Sequence, residues 1–599
     1  MTDHTPPNSS GQGSAVPPQV AQQPATELSR VEVAKLESRA LRGHIAETLA
    51  DGAAPCFTED DKHLLKFHGI YQQDNRDTRH GGAGKSYSMM VRLRIPGGAL
   101  TGRQWLELDA LSDTVGNGTL RLTTRQSIQY HGIAKGDLKT LMQGINRAFL
   151  STLSACGDVQ RNVMAPPAPF ADEAHRTVQR VAHEVAIELS PATGAYAEIW
   201  LDGERVASNG DEEPFYGDRY LPRKFKTGIA LDTDNSIDIF TYDCGLVGIT
   251  RGGTIVGYNL LVGGGLGMTH NKSDTFARIA TPIGYLPPER AIDAVRTVGA
   301  IYRDLGNRVD RRHARLKYLL ESWGVERFVQ EFRSRVDWEL APPVRTERPR
   351  ELDHIGHHEQ GDGRDFYGVF VENGRVADGD TVRYRSAFRR IIDELNPNVR
   401  LTPMQSILFT DLQPESVARL VAILREHGVR TVEELSPARR WSMACPALPT
   451  CGLALTDSER IMPSTIDLLE RELERIGVGG VPLTVRMTGC PNGCARPYNA
   501  DIALVGRKPG VYHVYVGGGL AGDRLADLFA ADVPIEQFVV VLRPLLERFS
   551  RERRDDESLG DFYQRILPPR DPRTILTGKE APTSSLVALT VRGVAESGS

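Results

Sequence analysis

The chain contains two sequence patterns that each occur twice, and this duplication restricts the folds it can adopt. LRLTTRQSIQYHGI begins at Leu120 and is matched by VRLTPMQSILFTDL from Val399, so that Gln126 and Gln405 occupy equivalent places. YNLLVGGGLG from Tyr258 is matched, in the same order along the chain, by YHVYVGGGLA from Tyr512. Two collinear pairs predict two α/β halves related by a pseudo-twofold axis. Such an arrangement tends to bind a ligand between its halves.

Periodicity within these halves predicts a mixed α/β protein. At 599 residues the chain is too long for one hydrophobic core and should form about three or four domains. Alternating apolar residues in YSMMVRLRI from Tyr87 and SIDIFTYD from Ser236 predict strands. Near Ser464, which we expect to cap a helix, apolar residues share one helical face: Ile466, Leu469, Leu473 and Ile476.

Composition excludes several classes of partner. The net charge of −5 argues against nucleic acid or an acidic membrane surface as a partner. No run of about eighteen apolar residues is present to span a membrane, and no apolar core follows the N-terminal charges as in a secretory signal. Residues 1–27 lack Ile, Leu and aromatic residues, which predicts a disordered arm. Seven cysteines, four of them grouped, suit a reducing compartment, so we expect a cytoplasmic protein.

The four grouped cysteines predict a metal centre. Cys445 and Cys451 form C-x5-C, and Cys490 and Cys494 form C-x3-C. Four thiolates provide one ligand for each iron of a [4Fe-4S] cluster. Zinc also accepts four sulfur ligands, but its sites usually have shorter spacings of C-x2-C to C-x4-C. The spacing therefore favours the cluster and leaves zinc as the alternative.

Basic residues recur inside the strand-like motifs. Lys224 and Lys226 would share one face of an extended segment, with Phe225 on the other. Buried cations without a partner are costly, so a set of them predicts a nearby anion, although each alone could be a surface charge or an ordinary ion pair. The set comprises Arg92, Arg94, Arg121, Arg125, Arg161, Arg223, Lys224 and Lys226.

The two VGGGL runs allow two interpretations. They could form phosphate-binding turns or tight bends where two backbones touch. No G-x-G-x-x-G follows a strand and opens a helix, so we expect no dinucleotide site in this chain.

Longer motifs resemble the sulfite/nitrite reductase family, and in particular its NADPH-linked assimilatory sulfite reductases. They include FHGIYQQDNRD, LRLTTRQSIQYHGI, YLPRKFKT, YNLLVGGGL, DRRHARLKY and TGCPNGC, in order between about residues 28 and 575. The resemblance implies a duplicated, three-lobed α/β fold with ferredoxin-like half domains and siroheme-binding domains. The expected divisions are a disordered arm (1–27), an N-terminal extension with the first half domain (28–155), a first siroheme- and substrate-binding domain (156–345), the second half domain (346–430), a cluster- and siroheme-binding domain (431–575) and a tail (576–599).

The resemblance also implies the cofactors and the residues that bind them. A siroheme would be bridged to a [4Fe-4S] cluster by one shared thiolate. The cluster ligands would be Cys445, Cys451, Cys490 and Cys494, of which Cys494 would also reach the siroheme iron. Siroheme contacts would come from Arg121, Arg125, Gln129, Arg223, Arg315, Lys317 and Asn492. The cations over the distal, substrate-binding face would be Arg92, Arg161, Lys224 and Lys226.

The activity implied is the six-electron reduction of sulfite to sulfide for cysteine synthesis. Electrons would come from a separate flavoprotein that oxidises NADPH, with ferredoxin as the alternative donor. Nitrite reductases of the family tend to have KFN where this chain has Lys224-Phe225-Lys226, which favours sulfite over nitrite. A non-catalytic iron–sulfur or zinc protein would leave the basic set unexplained. Some relatives link a cysteine to a tyrosine, and the matching pair here is Cys156 and Tyr71.

Overall fold

The computed structural model describes residues 28–79, 84–192, 198–201, 204–208, 213–347 and 353–567. The predictions for the arm at 1–27 and the tail at 576–599 lie outside these residues. The helices are α1 (Arg30–Leu36), α2 (Ile45–Ala50), α3 (Glu59–Leu65), α4 (Gly102–Thr114), α5 (Leu138–Arg147), α6 (Glu173–Glu188), α7 (Ala291–Leu305), α8 (Leu316–Trp323), α9 (Val325–Ser334), α10 (Tyr384–Leu395), α11 (Val417–Glu426), α12 (Pro437–Arg440), α13 (Met462–Arg475), α14 (Phe538–Glu552) and α15 (Leu559–Ile566).

Short strands alternate with these helices. They are β1 (Ile70–Asp74), β2 (Tyr87–Arg92), β3 (Ala99–Leu100), β4 (Leu120–Leu122), β5 (Ile128–Ile133), β6 (Glu198–Leu201), β7 (Glu204–Ser208), β8 (Thr227–Leu231), β9 (Cys244–Arg251), β10 (Thr254–Val262), β11 (Thr281–Leu286), β12 (Gly356–Glu359), β13 (Asp365–Val369), β14 (Arg375–Val376), β15 (Asn398–Leu401), β16 (Ile407–Leu412), β17 (Ser442–Ala444), β18 (Val485–Thr488), β19 (Ile502–Lys508), β20 (Val511–Val516) and β21 (Asp527–Pro534).

Two equivalent sheets confirm the predicted duplication. The first has the order β1-β2-β5-β4-β14 and the second has β12-β13-β16-β15-β3. Strand β14 comes from the second half and pairs with β4, whereas β3 comes from the first half and pairs with β15. Each half therefore covers an edge of the other's sheet, where unpaired backbone groups would otherwise remain. The half domains also share one core, in which Trp105 on α4 packs edge-on against Phe388 on α10.

A second pair of sheets also shows the duplication, because the two sheets have equivalent strand orders. In β11-β10-β9-β8, strands β8 and β9 are parallel and the other neighbours antiparallel. In β17-β18-β19-β20-β21, strands β18 to β21 repeat this pattern, and β17 adds a further parallel strand. The VGGGL runs directly follow β10 and β20.

These glycine runs are tight bends. A Cβ atom on Gly264 would lie 2.4 Å from the carbonyl oxygen of Tyr242, and one on Gly518 would lie 2.4 Å from that of Ala500. Both distances are too short for a side chain, so the close approach of two backbones explains the central glycines.

Two local predictions are wrong. Residues 236–243 do not form a strand, because Asp238 has a left-handed backbone and a 3₁₀ turn follows at Ile239–Thr241. Helix α13 begins at Met462, so Ser464 lies in its first turn and donates to the carbonyl of Ile461 instead of capping it. No helix among the described residues is both long and apolar enough to cross a membrane.

Candidate active site

The parallel strands β17 and β18 bring the two cysteine motifs together. Cys445 directly follows β17, and Cys490 lies two residues beyond the end of β18. Because the strands are parallel neighbours, both cysteines leave the same edge of the sheet. The N–H of Gly489 donates to Cys445 Sγ at 3.3 Å, and the amide of Asn492 lies 3.5 Å from Cys490 Sγ. Donors of this kind stabilise a thiolate.

The four thiols influence one another electrostatically. Burial raises the pKa of Cys445 and raises that of Cys490 to about 12, and the charge of Cys494 is the next cause in both. Burial and then Cys494 also raise the pKa of Cys451. Iron ions bound among these sulfurs would favour the ionised thiolates. The donor set therefore fits an iron–sulfur cluster. The described residues contain no group of three or more His, Cys, Asp or Glu placed for a single metal ion.

An arginine that the motifs alone did not single out supports the first cysteine loop. Arg76 donates to the carbonyls of Cys451 and Ala454, the latter at 2.9 Å, and its own N–H binds the carbonyl of Pro449 at 3.1 Å. Its position in the motif FHGIYQQDNRD was the available signal.

Cys494 differs from the other three cysteines because it is exposed, whereas Cys445 and Cys490 are buried.

Three of the four predicted distal cations lie around Cys156. Arg92 donates to Cys156 Sγ at 2.9 Å, and Arg161 donates to the carbonyl of Gly157 at 2.8 Å. Lys224 is half-buried, and burial lowers its pKa to about 7. Further causes of this lowering are the positive charges of Arg315, Arg223 and Arg161, while Cys494 opposes it. A lysine with this pKa can exchange a proton near neutral pH.

The fourth cation, Lys226, is held through Asp243. The N–H of Lys226 donates to the Asp243 carboxylate at 2.9 Å, and Arg315 binds that carboxylate at 2.8 Å. Burial, followed by Arg125 and Lys224, lowers the pKa of Lys226 well below its ordinary value, and Asp243 opposes the shift. Sequence reasoning missed Asp243, because nothing local indicates that a carboxylate next to Cys244 would pair with residue 315.

Two predicted siroheme contacts bind the protein itself. Arg121 donates to the carbonyls of Asn373 and Ala444, at 3.0 and 2.9 Å, and its Nε lies 3.0 Å from Glu459. Lys317, which is fully buried, donates to the carbonyls of Gly265 and Gly267, at 3.0 and 2.9 Å, in the first glycine bend. Their contact with a cofactor stays a prediction.

The remaining predicted contacts surround the same region. The side-chain oxygen of Gln129 accepts from Arg92 Nε at 2.8 Å across the β2–β5 pair. Asn492 is half-buried beside Cys490. Arg223 is half-buried with a guanidinium nitrogen 3.7 Å from Asp158.

Arg125 provides a direct test of whether the site fits an anionic group. One of its nitrogens donates to the carbonyl of Asn162 at 2.5 Å, and its guanidinium lies 5.2 Å from the ring centre of Tyr242. Its buried Nε and Nη1 have no hydrogen-bond partner among the described residues. Burial lowers its pKa to about 10, which leaves it charged at neutral pH. A charged group with two unused donors fits the carboxylates of a siroheme.

Tyr71 and Cys156 are adjacent, as the proposed cross-link requires. Burial, followed by Cys156, raises the pKa of Tyr71 to about 12, and the two side chains share a hydrogen bond. Burial alone would raise the pKa of Cys156, but Arg92 and Arg161 hold it below its ordinary value. The covalent link itself stays a prediction.

Two family models each match the chain twice, once in each member of a duplicated pair of domains. The family model described as the nitrite and sulphite reductase 4Fe-4S domain matches residues 182–340 and 437–566. The model of the nitrite/sulfite reductase ferredoxin-like half domain matches residues 82–148 and 358–427. These segments contain most of the four main sheets described above.

Similar proteins cover nearly the whole chain. The sulfite reductase [NADPH] hemoprotein beta-component of Staphylococcus haemolyticus is 42% identical over 91% of this chain and 96% of its own. The sulfite reductase [ferredoxin] of Synechococcus elongatus is 46% identical over 90% of this chain and 89% of its own. The structure of the Mycobacterium tuberculosis NirA protein has the same fold, with a TM-score of 0.73 at 23% identity over 90% of this chain and 97% of that one.

Proposed function

This chain belongs to the nitrite and sulfite reductase family, and we propose that it reduces sulfite to sulfide in assimilatory sulfur metabolism, supplying cysteine synthesis. The convergence of Arg92, Arg161 and Lys224 around Cys156, with Arg92 and Lys224 within electrostatic reach of the exposed Cys494, is the observation that supports this reaction best. The cofactors are siroheme and a [4Fe-4S] cluster. Cys445, Cys451, Cys490 and Cys494 would hold the cluster, and Cys494 would also hold the siroheme.

The basic residues suit the charge and the proton demand of the substrate. Reduction of sulfite to sulfide takes up six electrons and six protons and releases three water molecules. When bound, siroheme would supply the iron that binds the substrate and would pass on the electrons that the donor protein delivers. Arg92 and Arg161 orient the oxyanion and offset its charge. Lys224, whose pKa is about 7, donates protons to the departing oxygens at neutral pH.

Lys226 supports sulfite over nitrite as the preferred substrate. Sulfite has more oxygens and a larger charge than nitrite. A bound anion favours the charged form of a nearby lysine, so Lys226 beside Lys224 adds a cation when the larger anion binds. Among the relatives, the names of the Staphylococcus haemolyticus and Synechococcus elongatus proteins specify sulfite reductases.

Electrons reach this chain from a separate protein. The sequence has no dinucleotide fingerprint, and the relatives include one named for NADPH and one named for ferredoxin. We favour a flavoprotein that oxidises NADPH, in the cytoplasm, with ferredoxin as the alternative. Turnover with each purified donor protein in place of a chemical reductant distinguishes the two.

The test of function is kcat/KM for sulfite and for nitrite, measured on anaerobic holoenzyme with reduced methyl viologen. We expect a clear preference for sulfite, and a preference for nitrite would contradict the proposal. Lys226→Asn should lower kcat/KM for sulfite more than for nitrite, whereas Lys226→Arg, which keeps the charge, is the matched control. Equal losses for both anions would remove Lys226 from the specificity argument.

A further inference from the structure

Buried cations hold the segment that leads into Arg223 and Lys224. Four successive backbone carbonyls, those of residues 219–222, each accept a hydrogen bond from a side chain outside the segment. The bonds run from Arg308 to Arg219 (3.3 Å) and Tyr220 (2.7 Å), from Lys35 to Leu221 (2.8 Å) and from Arg311 to Pro222 (3.4 Å). Hydrogen bonds from charged donors are stronger than neutral ones, so four of them on successive carbonyls fix the backbone of this segment.

Two buried carboxylates pair with these three cations. Glu32 pairs with Lys35 and, at 2.5 Å, with Arg308. Asp158 accepts from Arg311 at 2.8 and 3.1 Å and lies 3.7 Å from Lys35. The side chains of Lys35, Glu32 and Asp158 are at most 4% exposed. Each charge in this network therefore has a partner of opposite sign, as buried ions require.

The same network reaches residues 158–161, the segment that contains Arg161. The N–H of Leu221 donates to the carbonyl of Asp158 at 3.0 Å, and the N–H of Phe225 donates to that of Val159 at 3.0 Å. The N–H of Arg161 in turn donates to the carbonyl of Phe225 at 2.8 Å. Residues 158–161 and 221–225 are thus tied side by side, and a shift at Leu221 would pass to both segments.

Helix α1 supplies two members of the network. Glu32 and Lys35 lie one turn apart on its buried face. We propose that α1 is a positioning element for the active site: through Lys35 and Glu32 it fixes the backbone of residues 219–226 and so the placement of Arg223, Lys224 and Lys226. This inference rests on the proposed function, which identifies sulfite as the anion that these residues bind. Lys35 and Glu32 themselves act only through the segment.

Replacement of one lysine tests the idea. Lys35→Met removes the donor to Leu221 and leaves Glu32 paired with Arg308 and Asp158 paired with Arg311. In the holoenzyme we expect faster amide hydrogen exchange in residues 219–226 and a KM for sulfite raised about tenfold, the loss typical of one hydrogen bond from a charged group. We expect kcat to fall less than KM rises, because the anion loses aligned contacts while the cofactor site remains.

The matched control is Arg30→Met on the same helix. Arg30 pairs with Asp60 at 2.9 Å on the surface, so its loss should leave exchange and KM within about twofold of the wild type. If Lys35→Met yields no folded protein, Lys35→Gln, which removes the charge and leaves Glu32 paired with Arg308, provides the same two measurements.

The outcomes separate this inference from the proposed function. Wild-type exchange in residues 219–226 together with an unchanged KM would overturn the role of α1. So would a lower kcat with unchanged KM and exchange, because that result indicates only a smaller fraction of folded enzyme. Exchange does not depend on which anion is reduced. A wild-type enzyme that reduces no sulfite would therefore contradict the proposed function and leave the exchange test of α1 valid.

Discussion

The two half domains have the same strand order and the same glutamine, but different side chains where an anion would bind. Gln126 and Gln405 both have a left-handed backbone, with φ of 48° and 61°. Each amide forms two hydrogen bonds with the backbone of one residue, Ala165 for Gln126 and Ala444 for Gln405. The glutamine therefore closes the fold in the same way twice.

The residue before each glutamine shows the difference between the two half domains. Arg125 precedes Gln126 and has two unused buried donors, whereas Met404 precedes Gln405 and lies in a small apolar cluster with Met443 and Ala495. The same change recurs one strand away, where Arg92 in β2, opposite Gln129, is matched by Gly368 in β13, opposite Leu408. Residues that maintain the backbone are thus kept in both halves, and the anion-binding residues are kept in one.

The second pair of domains has diverged in a complementary way. Asp238 and Arg496 occupy matching positions before the 3₁₀ turns, with left-handed φ of 56° and 51°. Their side chains pair with each other at 2.5 Å. A duplicated position has become an acid in one half and a base in the other, which joins the two halves. Only the second half has the four grouped cysteines.

The largest effect should come from Cys494, the cysteine that we propose to hold both cofactors. Cys494→Ser should reduce sulfite kcat/KM by more than about a hundredfold, because loss of a residue that merely supports a metal ligand already costs 10–100-fold. Visible absorption of the holoenzyme and activity with reduced methyl viologen measure the effect. Cys56→Ser is the control, since Cys56 lies outside both motifs. Retained activity in Cys494→Ser would exclude the shared thiolate.

A substitution that makes the first half resemble the second should have the next largest effect. Arg125→Met should lower sulfite kcat/KM about tenfold to a hundredfold, the range expected for a lost hydrogen bond to a charged group. The reciprocal site is the control: Met404→Leu conserves volume in an apolar cluster and should change little. Equal losses at both sites would mean that the halves contribute alike and that Arg125 has no special role.

The sequence predicted the duplication and the cysteine set because both are repeated or tightly spaced patterns. It did not predict the exchange of β3 and β14 between the half domains, since strands of two residues give no periodic signal. It also missed the internal partners of the basic residues, such as Asp243 for Arg315 and Glu459 for Arg121. These pairs join residues far apart in sequence, and only the folded chain brings them together.

The smallest effect should come from the two glutamines, which are the feature that both half domains have in common. Gln126→Ala and Gln405→Ala should each leave one buried backbone N–H unsatisfied, that of Ala165 or of Ala444, which costs about 1–3 kcal/mol. In a chain of this size, such a loss lowers Tm by only a few degrees. Thermal unfolding of the two holoenzyme variants should give nearly equal shifts, because the two amides make matching bonds. A shift confined to Gln126→Ala would show that this residue supports the anion site and not the common fold.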